Sequence, residues 1–243
     1  MNTPPRAKLF AIADIHLSLG TDKPMNIFKG WENHTERLEV GWNSVVSKSD
    51  TVVIAGDISW AMSFIQAKAD FDFINNRLNG SKIIIKGNHD YWWNTSAKMD
   101  SFLMENSFDS IRILHNNAFL VSETAVCGSR GWINDNSQFT MHNAQLSHDV
   151  KILQREAGRL EASITDGIEN GGKPIVFMHY PPIYAADENP YIIEVLKKYK
   201  IKRCYYGHIH SSGRSMAFTG ERYGIKFALI AADSVNFTPV LIK

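Results

Sequence analysis

Two patterns of apolar and polar positions alternate along the chain. The first is a short apolar run followed at once by a polar cluster. It occurs at Lys8–Ala13, Thr51–Ala55, Lys82–Lys86, Pro174–Met178 and Arg203–Tyr206. Runs this short predict strands, and the apolar, β-branched runs Thr51–Ala55 and Lys82–Lys86 strands buried in a parallel sheet. The second pattern has the helical period. Phe64, Ala67, Phe71, Ile74 and Leu78 are spaced by three and four, one apolar stripe that Asn79-Gly80 ends. Residues His34–Lys48 also read as helical, and Tyr91-Trp92-Trp93-Asn94 as a loop leading into a helix. A longer stripe, Leu146, Val150, Leu153, Ala157, Leu160 and Ile164, has Lys151, Arg155, Glu156 and Arg159 opposite, as on a surface helix covering a sheet. Asn189-Pro190 reads as a cap and first-turn proline of a helix through Tyr199. Strands alternating with helices predict a parallel α/β layer architecture.

The middle of the chain breaks this rhythm. Ile111–Leu114, Ala118–Val121 and Thr124–Cys127 read as short strands, with Asn116-Asn117 as a hairpin turn and Gly128–Trp132 as a loop. The tail, Arg214–Ile242, reads as closing strands. Its 243 residues fit one domain, 1–243, with a sizeable core. A formal net charge of +1 gives no support to a generic nucleic-acid binder. Cys127 and Cys204 are far apart and predict reduced thiols, hence a cytoplasmic protein. Met1–Arg6 is polar, the apolar run after it is too short for a signal peptide, and no stretch reaches transmembrane length.

The polar clusters change the picture. After successive predicted strands come Asp14 and His16, Asp57, then Asn88, His89 and Asp90, then His179, then His208 and His210. Strand C-terminal ends are where open α/β sheets bind ligands. On an extended chain, Asp14 and His16 point the same way. Five of the nine histidines fall in these clusters. Isolated histidines are ordinary surface or core residues, and His34, His115, His142 and His148 are read so. Gathering the other five with carboxylates carries a desolvation cost that a metal cation would offset. Mixed imidazole and oxygen donors suit Mn, Fe, Co or Zn. No thiolate joins them, which disfavours a structural zinc cluster.

The ordered blocks Asp-x-His, Gly-Asp, Gly-Asn-His-Asp, His and Gly-His-x-His, from Asp14 to His210, resemble the calcineurin-like metallophosphoesterase superfamily. That resemblance implies a four-layer α/β/β/α sandwich with a dinuclear metal site. It implies Asp14, His16, Asp57 and His210 on one divalent ion and Asp57, Asn88, His179 and His208 on the other, with Asp57 bridging. Two carboxylates against two such ions leave spare positive charge for a phosphoryl group and for activating water. His89 is then the general acid for the leaving oxygen, oriented by Asp90. Asp90 reads equally as a helix cap. The protein Ser/Thr phosphatase branch places arginines where this chain has Ile58-Ser59-Trp60 and Lys86, so that substrate class is disfavoured.

Arg130 is a candidate phosphate contact, though equally a solvated loop arginine. Trp60, Trp92 and Trp93 are candidates for stacking on substrate, with packing beneath the site the favoured reading. The expected reaction is hydrolysis of a phosphate mono- or diester on a small or nucleotide-like substrate. A DNA nuclease of the same superfamily is the alternative, and a non-catalytic metal-binding scaffold the least favoured. Membrane association is not expected, and oligomeric state is not legible.

Overall fold

The computed structural model describes residues 7–132 and 143–243, with side chains of the second segment from residue 150. The readings at Met1–Arg6 and His142 lie outside the described residues, and those at Leu146 and His148 concern side chains outside the described ones. The first half runs β1 (Leu9–Ile12), α1 (His34–Val45), β2 (Thr51–Ala55), α2 (Phe64–Asn76), β3 (Ser81–Ile85), α3 (Ser96–Glu105) and β4 (Ile111–Ile113). Then come β5 (Phe119–Val121), β6 (Thr124–Ser129), α4 (Asn143–Glu169), β7 (Lys173–Met178), and the short pair β8 (Ile183–Tyr184) and β9 (Asp187–Glu188). The chain closes with α5 (Pro190–Lys198), β10 (Arg203–Tyr206), β11 (Gly220–Arg222), β12 (Ile225–Leu229) and β13 (Val240–Leu241).

Two mixed sheets result. One has the order β13-β1-β2-β3-β4 and the other β11-β12-β10-β7-β6-β5. Side-chain alternation along the strands builds the layers. Leu9, Ala11, Val53, Ile83 and Ile85 face Val126, Ile175 and Phe177 in a core between the sheets. The alternate residues Phe10, Ile12, Val52, Ile54 and Ile84 face Leu38, Trp42, Phe71 and Phe102 of the first three helices. On the far side, Cys127, Val176, Met178 and Tyr206 meet Leu160, Ile164, Ile192 and Leu196 of α4 and α5. This is the four-layer α/β/β/α sandwich. Strands buried on both faces explain why their sequences are apolar throughout.

Several boundaries differ from expectation. The first helix ends at Val45 rather than Lys48. Leu78 lies past the end of α2 yet stays in the core. Asn116-Asn117 is not a hairpin turn: β4 pairs in parallel with β3, while β5 pairs with β6. These two residues instead carry the chain from one sheet to the other. Gly128 and Ser129 are not loop but the end of β6, in register with Phe177 and Met178. Asn189 does cap α5, its side chain accepting from Ile192 N at 3.2 Å.

The sheets meet at one edge. β1, β2 and β3 are mutually parallel, as are β7, β10 and β12. An isolated parallel bridge, Ala13 to Ala231, links the ends of β1 and β12. The C-terminal ends of both parallel sets converge there.

Candidate metal centre

Every block of the polar pattern leaves a strand at that edge. Asp14 and His16 follow β1, Asp57 follows β2, Asn88 and His89 follow β3, His179 follows β7, and His208 and His210 follow β10. Asp14 and His16 do not converge through extended backbone, as the sequence suggests. Their φ values are 57° and 44°, and Asp57 and His208 also lie in the left-handed region at 49° and 71°. Such conformations cost free energy and persist where the surroundings impose them. Here backbone bonds do so: Asp14 N donates to Gly56 O at 2.9 Å and His16 N to Asp57 O at 3.0 Å.

The side chains form two groups. Ligand atoms of Asp14, His16 and His210 lie within 4.8 Å of one another, as do those of Asp57, His179 and His208. Asn88 joins the second group, with Oδ1 at 2.6 Å from His179 Nε2 and 2.9 Å from His208 Nδ1. Asp57 stands between the groups, with Oδ2 at 3.8 Å from His16 Nε2 and Oδ1 at 3.5 Å from His179 Nε2.

This donor set fits divalent cations. Asp14 Oδ1, His16 Nδ1 and His210 Nε2 are buried without a hydrogen-bond partner. Native structures rarely leave such atoms unmatched, because each costs about 1–3 kcal/mol. Both cysteines are buried in strands, away from these donors. Burial, aided by neighbouring histidines, pushes His16 well below its ordinary pKa. Burial likewise takes His179 and His208 down to about 3. All three are therefore neutral imidazoles, as ligation requires. His179 Nδ1 faces Ala55 O at 3.2 Å, which leaves Nε2 for the centre.

Two groups carry the opposite tendency. Burial, reinforced by Asp14 and Asp90, raises Asp57. Burial opposes the charge on His210, but Asp14 and Asp233 overcome it and push His210 up to about 10. Both shifts favour the protonated form, whose proton a cation must displace. Metal binding should release protons at pH 7 and weaken on acidification. Calorimetry in buffers of different ionisation enthalpy checks this, and pH-independent affinity would contradict it.

Two motif glycines are explained by close approach. A Cβ on Gly87 would overlap Asp57 N and Oδ1, and one on Gly207 would overlap Asp14 Oδ2. Gly87→Ala should therefore lower metal content while circular dichroism stays native-like. Full metal occupancy in that variant would show that the loop yields.

Asp233 was missed by sequence reasoning. It accepts from His210 Nδ1 at 3.0 Å and from Ser211 N at 3.2 Å. A carboxylate behind a ligand histidine fixes its tautomer and orientation. The available signal was position: Asp233 follows β12 just as the other acids follow their strands. Asp233→Ala should weaken metal binding by about 10–100-fold, read by competition with a chelating dye. Unchanged affinity would reduce Asp233 to a loop contact.

Two expected roles are corrected. Asp90 does not orient the His89 ring. Its Oδ1 accepts from Ile58 N at 2.8 Å, Ser59 N at 3.2 Å and Trp92 Nε1 at 3.2 Å, and its Oδ2 from Gly87 N at 2.7 Å. Nor does it cap a helix, since α3 starts only at Ser96. Asp90 clamps the loop after β2 to the loop after β3. Trp92 is buried against Phe71, so it is no substrate contact. Trp93 is half-buried and packs on the same core. Trp60 stacks on His16, ring centroids 4.9 Å apart, and lies 4.4 Å from the His89 ring. The tryptophans thus pack beneath and beside the centre. His89 itself is half-buried, and its backbone N donates to Asp57 Oδ1 at 2.8 Å. His34 is an ordinary core residue, Nε2 lying 3.3 Å from His16 O.

The sandwich thus brings to its shared strand edge two His and Asp groups that could hold metal ions. Residues 7–212 match the model of the calcineurin-like phosphoesterase family, and the chain belongs to that family. Its members generally hydrolyse phosphate esters and hold two divalent metals. A protein of unknown function from Aquifex aeolicus has a similar structure, with a TM-score of 0.52 and 15% identity over 97% of this chain and 96% of its own. A purple acid phosphatase from yellow lupin seeds aligns with a TM-score of 0.43 and 14% identity, over 84% of this chain and 38% of its own. A search of curated proteins finds no match. Among the described residues no helix is long and apolar enough to cross a membrane.

Proposed function

We propose that the protein is a dinuclear metal-dependent phosphoesterase acting on a small or nucleotide-like phosphate mono- or diester. The observation that carries this reading is the pair of adjoining ligand clusters with Asp57 between them. Asp14, His16, Asp57 and His210 would hold one ion, and Asp57, Asn88, His179 and His208 the other, with Mn, Fe, Co or Zn the metals suited to these donors. The bound ions supply Lewis-acid charge to the phosphoryl oxygens and activate the attacking water. Asn88 contributes a neutral amide, which preserves positive charge for an anionic substrate. His89, on the loop after β3 and partly open to solvent, gives a ring proton to the leaving oxygen. Asp90 keeps the loop that carries it in register with Asp57.

The test is metal analysis followed by hydrolysis of a panel of phosphate mono- and diesters, cyclic nucleotides and dinucleoside polyphosphates. Turnover of one class that requires both metals supports the reading. Two bound metals with no turnover of any ester would sink it.

A further inference from the structure

Beside the metal centre lies a pocket of about 240 Å³, at the C-terminal ends of β3, β4 and β6 and against α4. A water occupies roughly 30 Å³ of liquid, so the pocket admits a group of several heavy atoms. Ile85 and Leu114 are its apolar lining, and among the described residues Lys86, Arg130, Arg155 and Arg159 bring four cations to it against one carboxylate, Glu156. Glu156 Oε1 binds Arg159 Nη1 at 2.7 Å. Its other oxygen, Oε2, is buried without a partner on a side chain that is 0% exposed. The buried Nε of Arg130 is also unpartnered. Arg130 is steadied by the Trp132 ring, 4.8 Å from its guanidinium carbon, and among the described residues by no carboxylate. The pocket wall thus contains an unpartnered guanidinium nitrogen and an unpartnered carboxylate oxygen, both buried.

Its lining is tied to the loops of the metal centre. Lys86 precedes Asn88 by two residues. The Arg130 carbonyl accepts from Tyr180 N at 2.9 Å, next to His179. The Tyr180 ring lies 4.4 Å from His208.

We propose that this pocket is a subsite for a second phosphate, so that the substrate is a sugar or nucleoside phosphate bearing two separate phosphoryl groups. One group sits at the metals and the other among Lys86, Arg130, Arg155 and Arg159. Guanidinium forks match phosphate oxygens in pairs. The inference rests on the phosphoesterase reading for the reacting group, and on the pocket alone for the second.

Two measurements test it. The first is titration of inorganic phosphate into metal-free protein, where the metals cannot contribute affinity. One equivalent should bind, at least about tenfold more weakly in Arg155→Gln and Arg130→Gln, with thermal midpoints near wild type for the exposed Arg155. The second is the ratio of kcat/KM for adenosine 3′,5′-bisphosphate to that for the adenosine monophosphates, using metal-loaded enzyme. Wild type should favour the bisphosphate, and Arg155→Gln should lower the ratio by about tenfold or more. No phosphate binding to metal-free protein, or equal binding by the variants, overturns the pocket as an anion site. Binding with an unchanged ratio overturns its role as a substrate subsite. Loss of all turnover in metal-loaded wild type overturns the phosphoesterase reading and the subsite with it, and the phosphate titration separates that outcome from the other two.

Discussion

Asp57→Asn is expected to empty or scramble at least one metal position and to abolish phosphoester hydrolysis. Its carboxylate stands between the two ligand groups, Oδ2 facing His16 Nε2 and Oδ1 facing His179 Nε2. The same Oδ1 accepts from His89 N, so this side chain also ties down the loop bearing the acid. Asparagine keeps the shape but removes a negative charge and one of two acceptor oxygens. Metal-ion catalysis supplies several kcal/mol to the transition state. At about 1.4 kcal/mol per decade this predicts a loss of about 10³-fold or more in kcat. Metal analysis beside steady-state kinetics checks it. Two retained metals with normal turnover would remove Asp57 from the bridging role.

His89→Ala should separate substrates by leaving group. An alkoxide needs a proton as it departs, whereas a nitrophenolate departs well without one. Losing a positioned acid typically costs 10²–10⁴-fold, about 3–5 kcal/mol. Alkyl phosphate esters should fall by that factor, nitrophenyl esters by much less, and both metals should remain. Burial lowers the His89 pKa, Asp14 partly opposing and Lys23 and His210 adding to the fall. The ring of the free enzyme is therefore mostly neutral at pH 7. A bound phosphate ester favours the imidazolium by its charge. Alkyl-ester turnover should consequently fall as pH rises through the pKa of the substrate complex, and the variant should lose that limb. The ring is set not by Asp90 but by Trp60 and, at the long limit of 3.5 Å, by Tyr91 Oη. An equal loss on both ester types, with metals intact, would assign His89 to phosphate binding instead.

The parts of the site legible in the chain were those that follow from short-range order. Gly87-Asn88-His89 sits where it does because Ile83, Ile84 and Ile85 can only be a buried strand, and such a strand ends in a ligand-bearing turn. The same holds for Asp57, His179, His208 and His210. Asp90 was legible as a residue of the site but not by its partners, which are backbone amides more than 30 residues away at Ile58 and Ser59. Asp233 and the pocket around Glu156 carried no local motif. Both depend on which strand or helix lies alongside, and that distance is absent from the chain.

By itself the sequence determined most strands and helices, the order of the His and Asp blocks and the glycines between them. Each follows from side-chain periodicity or backbone sterics within a few residues. Tertiary structure alone decided the division into two sheets, with β4 in one and β5 in the other. It also decided the left-handed turns that aim Asp14 and His16, the carboxylate behind His210 and the clustering of four cations beside the centre. The physical reason is that strands buried on both faces look alike whichever sheet they join. Their neighbours are chosen by packing between layers, where Phe177 from one half of the chain meets Ile83 and Ile85 from the other.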